Sequence, residues 1–302
     1  MWENLLQQIQ QGDTKALARC ISLIENEKEG YEKFLQELPV SSTPIVGITG
    51  PPGAGKSTLV DGLIGQLVNE GKKIAVLCID PSSPFNLGAL LGDRIRMSEW
   101  YNNHNVYIRS LATRGSLGGL HPKIIEISDV LKVAPFDVVI VETVGVGQSE
   151  IEIAGLADCT IVVVVPEAGD EVQTMKAGLM EIADIFVVNK SDRPDADAFV
   201  KNLRLMLMPA HHQKLAKIPV IKTIASQKEG IDTLIKAIEE NIQQAKSNKL
   251  NTTNKKHEWL LAEKAYQLIQ QKKMKHIDKA LLKAQIEKEG TAFNLYTFIY
   301  KF

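Results

Sequence analysis

Nine residues, Gly50–Thr58 (G-P-P-G-A-G-K-S-T), constrain the fold of this 302-residue chain more than any others. They satisfy G-x-x-x-x-G-K-[ST]. They follow the apolar run I-V-G-I-T (45–49) and open a helical run, T-L-V-D-G-L-I-G-Q-L (58–67). Strand, glycine-rich turn and helix, in that order, are the setting in which the pattern cradles phosphate. Glycines let the backbone wrap an anion, and successive N–H groups with the helix N-terminus form a nest for it. Lys56 is expected to reach the β- and γ-phosphates of a nucleotide, and the Ser57 hydroxyl to ligate magnesium. Gly50, Pro51, Pro52, Gly53, Ala54, Gly55, Lys56, Ser57 and Thr58 therefore form the first part of a candidate nucleotide site.

Six further apolar, β-branched runs follow the first: 73–80, 106–111, 137–142, 160–165, 185–190 and 219–223. Helical stretches separate them. Continuous apolar strands of this kind predict a mostly parallel sheet with helices on both faces, an α/β fold. Before it, Leu17, Ile21 and Ile24 share one helical face, and Tyr31, Phe34, Leu35 and Leu38 another. After it, K-S-N-K-L-N-T-T-N-K-K (246–256) has the composition of a linker. Leu261, Ala265 and Leu268 then mark one amphipathic helix, and Ile277, Ala280, Leu281 and Ala284 a second. The expected organisation is an N-terminal helical extension (1–42), a phosphate-loop domain (43–245) and a C-terminal helical arm (246–302).

Hydrophobic residues make up 44% of the chain and charged residues 24%, as in a folded soluble protein. A net charge of −1 gives no electrostatic case for nucleic acid or an anionic membrane as a partner. The apolar runs are too short to span a bilayer, and the start M-W-E-N-L-L-Q-Q does not read as a signal peptide. Cys20, Cys78 and Cys159 are scattered, which fits a reducing cytoplasm and argues against a thiolate metal site.

N-K-S-D (189–192) stands directly after an apolar run. Asp192 can accept hydrogen bonds from N1–H and the 2-amino group of guanine, whereas adenine has neither donor. A site built this way rejects the wrong base by roughly four to five decades at best, because unpaired buried polar groups are costly. Asn189 would hold the base and position the loop, and the stem of Lys190 would cover the purine face. In T-I-A-S (223–226), amides near Ala225 and Ser226 are candidates for guanine O6, with an ordinary turn as the alternative.

Three acids are candidates near the phosphates. Asp80 ends one strand, Asp93 lies in G-D-R-I-R-M (92–97), and Glu142 ends the run before T-V-G-V-G-Q-S-E (143–150). Magnesium takes one or two protein carboxylates, with water and phosphate completing its shell, so not all three are direct ligands. Asp80 as a turn former and Asp93 as a solvated acid are the competing readings. Val146 follows Gly145 where a switch GTPase carries a Gln that orients water, and Gln148 is two residues further on. Slow intrinsic hydrolysis is expected, by analogy about 10⁻⁴ to 10⁻³ per second without a partner.

Taken together, G-P-P-G-A-G-K-S-T, D-P-S-S-P, G-D-R-I-R-M, T-R-G-S-L-G-G-L, E-T-V-G-V-G-Q-S-E, residues 166–184 and N-K-S-D resemble the G3E-type P-loop GTPases. The resemblance is to the MeaB/ArgK branch, also known as the LAO/AO-transport-kinase family, which assists adenosylcobalamin-dependent acyl-CoA mutases. It spans about 50–192. It implies a P-loop NTPase fold, GTP and GDP as ligands with Mg2+, a homodimer to which the C-terminal arm contributes, and a chaperone role in cofactor loading and protection of the mutase. It also implies that Glu142 occupies the Walker-B-like position, that Asp80 and Asp93 join the magnesium network, and that Gly145 senses the γ-phosphate through its N–H. Asp170, Gln173 and Lys176 would lie in a third switch loop that links nucleotide state to partner binding. Glu167 departs from the family pattern, which has a small residue there.

Three other functions compete, one of them a GTP-dependent targeting protein, which would need a membrane or RNA surface that a net charge of −1 does not advertise. A metal-insertion GTPase would carry a His- or Cys-rich motif, whereas the six histidines are dispersed and His211-His212 is an isolated pair. A kinase or ATPase of amino-acid transport would need no guanine-reading Asp192.

Overall fold

The computed structural model describes residues 1–80, 97–112, 120–143, 149–168, 177–207, 218–247, 253–274 and 288. Each of the seven apolar runs is a strand: β1 (Ile45–Thr49), β2 (Ile74–Asp80), β3 (Val106–Ala112), β4 (Val138–Glu142), β5 (Cys159–Val164), β6 (Ile185–Val188) and β7 (Val220–Lys222). They form one sheet in the order β3-β2-β4-β1-β5-β6-β7, and every pairing is parallel. The sheet has the P-loop NTPase arrangement. Wholly parallel pairing explains the unbroken apolar runs, since strands covered on both faces have no solvent side to alternate toward. All residues of β1, β5 and β6 are buried accordingly.

Alternate residues of the strands feed two cores. Ile161, Val163, Ile185 and Val187 face a cluster with Leu59, Val60, Leu63 and Ile64 of α4 (Lys56–Asn69) and Leu234 and Ile235 of α9 (Ile231–Ser247). Val162, Val164, Phe186 and Val188 face Phe199, Val200 and Leu203 of α8 (Ala196–Met206). Between these helices in the chain come α5 (Ile124–Val133), α6 (Ser149–Leu156) and α7 (Ala177–Ile182).

The order of the strands fixes where a ligand can sit. From β1 the chain crosses β4 to reach β2; from β4 it crosses β1 to reach β5. The connections leave in opposite directions between β1 and β4, so a crevice opens at the C-terminal ends of those two strands. Ile48 of β1 is in register with Glu142 of β4 at its edge.

Three helices precede the sheet: α1 (Trp2–Gln10), α2 (Thr14–Glu25) and α3 (Tyr31–Gln36). Asp13 caps α2 by accepting the N–H groups of Lys15 and Ala16 at 2.8 and 3.0 Å. Leu17, Ile21 and Ile24 are buried, as their spacing predicts. Arg109 of β3 donates to Glu25 at 2.5 Å, and Lys123 pairs with Glu27 at 2.8 Å. These bonds tie the helices to the sheet domain.

Residues 1–257 form one compact unit and residues 258–302 a second, so the division falls inside α10 (Thr253–Lys273). Of the polar stretch 246–256, Ser247 still belongs to α9 and Thr253 opens α10, and the residues between them lie outside the described residues. Lys256 donates to the Ile182 carbonyl at 3.1 Å, and a ring nitrogen of His257 lies 2.9 Å from the Gly155 carbonyl. Along α10 the more buried row is Leu260, Lys264 and Leu268, whereas Leu261 and Ala265 are exposed. Among the described residues no helix is long and apolar enough to cross a membrane.

Candidate nucleotide site

The phosphate-loop motif turns from the buried end of β1 into α4 through two glycines that tolerate no side chain. Gly50 has φ 138°, and a Cβ there would lie 2.1 Å from the Val163 carbonyl. Gly55 has φ 89°, and a Cβ there would lie 2.3 Å from Asn189 Nδ2. Both conformations disfavour L side chains, and both positions are in close contact with a neighbouring strand or its loop. Lys56 is buried and folds back over the loop, donating to the Gly50 carbonyl at 2.8 Å and the Pro51 carbonyl at 3.0 Å. Pro52 and Gly53 are exposed, Ala54 is buried, and Pro51 and Thr58 are half-buried. The loop thus has an open outer rim and a fixed base, and could hold an anion with its backbone amides and the helix N-terminus.

Ser57, in the first turn of α4, donates its hydroxyl to Glu142 Oε1 at 2.7 Å. Both residues are buried. A hydroxyl and a carboxylate are hard oxygen donors of the kind magnesium takes, so this pair fits the ion the sequence implies. Asp80 ends β2, two residues beyond Cys78, which pairs with Glu142. The Asp80 side chain, Asp93, Gly145 and Gln148 lie outside the described residues, as do Asp170, Gln173, Lys176 and the pair His211-His212.

Asn189 binds three parts of the site together. Its Nδ2 donates to the Ala54 carbonyl at 2.9 Å, and its Oδ1 accepts from Thr223 Oγ1 and the Ala225 N–H, each at 3.1 Å. One buried amide therefore spans the phosphate loop, the N-K-S-D turn and the T-I-A-S turn. Lys190 (φ 56°) crosses in the same direction and donates to the Gly53 carbonyl at 2.8 Å. The Ser191 N–H donates to the Thr223 carbonyl at 3.1 Å, which sets the turn that carries Asp192. Asp192 and Ser226 are exposed, as groups that meet a base must be.

The structure specifies how two of the expected residues are held. The Ala225 amide is engaged by Asn189 and so braces the site, while Ser226 is the exposed residue of the pair. Asn189 likewise directs its amide at protein atoms. Two contributors were missed from sequence: Thr223, and the ion pair between Arg193 and Glu167 that ties the residue after Asp192 to the short helical turn Pro166–Ala168 after β5. Thr223 had a weak signal, as the residue that opens T-I-A-S. Glu167 had a stronger one, because an acid stood where a small residue was expected.

Comparison with known proteins narrows the reading. The profile of a family described as "Methylmalonyl Co-A mutase-associated GTPase MeaB" matches residues 17–280. A protein of Pyrococcus abyssi assigned as a GTPase is 49% identical over 246 residues, covering 80% of this chain and 76% of its own. The "Fused isobutyryl-CoA mutase" of Geobacillus kaustophilus is 37% identical over 254 residues, which cover 78% of this chain and 23% of that one. The crystal structure of an LAO/AO transport system kinase shares the fold, with a TM-score of 0.71, 24% identity, and coverage of 99% of this chain and 95% of that chain. The chain belongs to the MeaB/ArgK branch of the G3E P-loop GTPases, a family of GTP-hydrolysing enzymes.

Proposed function

We propose that this GTPase is a chaperone for an adenosylcobalamin-dependent acyl-CoA mutase, gating cobalamin loading and protecting the mutase from inactivation. The observation that carries the partner is the fused isobutyryl-CoA mutase: about a quarter of a chain named for an acyl-CoA mutase corresponds to most of this one. The family description, a mutase-associated GTPase, points the same way.

Each part of the site takes a role in this reading. Asp192 reads the guanine edge, with Ser226 at its rim, and the Lys190 stem covers the purine. Asn189 holds base loop and phosphate loop at a fixed separation. The loop amides and Lys56 bind the phosphates, with the Gly145 N–H as the γ-phosphate sensor. Mg2+ is held by Ser57 and Glu142, with Asp80 and Asp93 acting on it directly or through water, and it supplies charge neutralisation at the phosphates. Asp170, Gln173 and Lys176 transmit nucleotide state to the mutase. A homodimer formed through the C-terminal arm is part of the proposal, as is a cytoplasmic setting.

Hydrolysis without a partner is slow, because Val146 cannot orient water as Gln can. The test mixes the purified chain with an adenosylcobalamin-dependent acyl-CoA mutase from the same source. The reading expects a nucleotide-dependent complex, faster GTP turnover and slower loss of mutase activity. Absence of a complex with either GTP or GDP, with turnover unchanged, sinks it.

A further inference from the structure

The hydroxyl of Thr143 donates to Thr49 Oγ1 at 2.9 Å. The Thr143 N–H donates to the Ile48 carbonyl at 2.9 Å, one step beyond the β1–β4 ladder. Thr49 and Thr143 are 0% and 1% exposed. Thr49 is the last residue of β1 and precedes Gly50, whose carbonyl receives Lys56 Nζ. Thr143 is the first residue past β4. It follows Glu142 and stands two residues before Gly145. One bond between two hydroxyls therefore joins the points at which the chain leaves the sheet for the phosphate loop and for the sensor loop.

Packing does not call for these hydroxyls. Valine has the shape of threonine, and Val162, in register with Thr49 on β5, Ile48, next to Thr49, and Val141, two residues before Thr143, are all aliphatic and buried. A hydroxyl placed among them costs free energy unless it is bonded. The backbone bond from the Thr143 N–H would persist without either side chain.

We propose that Thr49 and Thr143 are a positioning pair for GTP hydrolysis. Their bond fixes the direction in which the chain leaves β4, and so the placement of Glu142 against Lys56 and Ser57. Neither threonine is assigned a contact with the nucleotide. The proposal rests on the assignment of GTP to this site and is independent of the mutase reading, because the test uses no mutase.

The test is steady-state GTP hydrolysis by the full chain and by Thr143→Val, Thr143→Ser, Thr49→Val and the double valine variant, with GDP binding measured on each. Misplacement of groups by about 1 Å can cost about 100-fold, so a softened position is expected to lower kcat about tenfold in either valine variant. KM and the GDP Kd should stay within about twofold, because binding common to ground and transition states is untouched. Thr143→Ser keeps the donor and should return kcat to within about twofold of the parent. The double variant should lose no more than a single one, because both remove the same bond. Removing both partners of a buried bond is nearly neutral for folding, so the double variant carries the test if a single one does not fold. The proposal fails if both valine variants keep the parent kcat, if serine does not rescue, or if the two losses multiply. A parent chain that binds no guanine nucleotide overturns the site assignment along with it.

Discussion

The Ser57 hydroxyl donates to Glu142 Oε1 at 2.7 Å, joining the first turn of the phosphate-loop helix to the end of β4. The residues are 85 positions apart in sequence and meet because β1 and β4 are neighbours in register. Glu142→Ala should leave GDP binding within a few-fold of the parent and lower magnesium-dependent GTP hydrolysis about 100-fold, since a metal ion at the phosphates is worth several kcal/mol to the transition state. Titrating hydrolysis and nucleotide binding against magnesium separates the two effects. Equal loss of both would make Glu142 a structural residue.

Asp192 is exposed at the end of a turn that the Asn189 amide, the Lys190 ammonium and the Ser191 N–H tie to the protein. Asp192→Asn should therefore change base preference without changing the fold. The amide cannot accept from both guanine donors, and loss of charge-assisted bonds of about 1.5–3 kcal/mol predicts at least about tenfold weaker GTP binding. Competition between GTP, ATP and XTP is the measurement. ATP binding as tight as GTP binding in the parent would remove Asp192 from the base site.

Lys56 and Gly55 test the loop from two sides. Lys56→Ala should abolish tight nucleotide binding and leave the fold intact. Gly55→Ala forces a Cβ against Asn189 Nδ2 at a φ of 89°, so it should destabilise the protein by roughly 1–3 kcal/mol and disturb the phosphate and base loops together. Thermal unfolding and GDP binding distinguish these outcomes.

The strands were legible because a parallel sheet buried on both faces writes each strand as an unbroken β-branched run, and all seven runs are strands. The phosphate loop was legible because its motif is contiguous. The brace at Asn189 was not, because its partners Ala54, Thr223 and Ala225 come from three separate segments that only the fold brings together. The Glu167–Arg193 pair is of the same kind. Helix α10 misled for a different reason: its apolar residues are few, so Leu260 and Leu261 compete to define its buried row and spacing does not choose between them. The polar run 246–256 reads as a linker by composition, yet Lys, Asn and Thr also serve at helix ends, and the described ends of this run, 246–247 and 253–256, are helical.

The last prediction concerns alkaline stability. Burial pushes the Cys20 thiol up to about 12. Burial likewise pushes the Tyr107 phenol up to about 12, with Arg109 opposing and Glu25 and Cys20 adding to the rise. Tyr107 is 8% exposed, and its hydroxyl has no hydrogen-bond partner among the described residues. In the unfolded chain these groups ionise near their ordinary values, about 8.5 for Cys and about 10 for Tyr. Between those values and about 12, the unfolded state binds fewer protons than the folded one, so stability must fall as pH rises through this window. Tyr107→Phe removes one titrating group and a buried hydroxyl together. It should flatten the fall above about pH 10 and add about 1 kcal/mol at neutral pH. Urea unfolding of the parent and the variant at pH 7 and at pH 10.5 measures both effects. A variant less stable than the parent at pH 7 would mean that the phenol is bonded in solution.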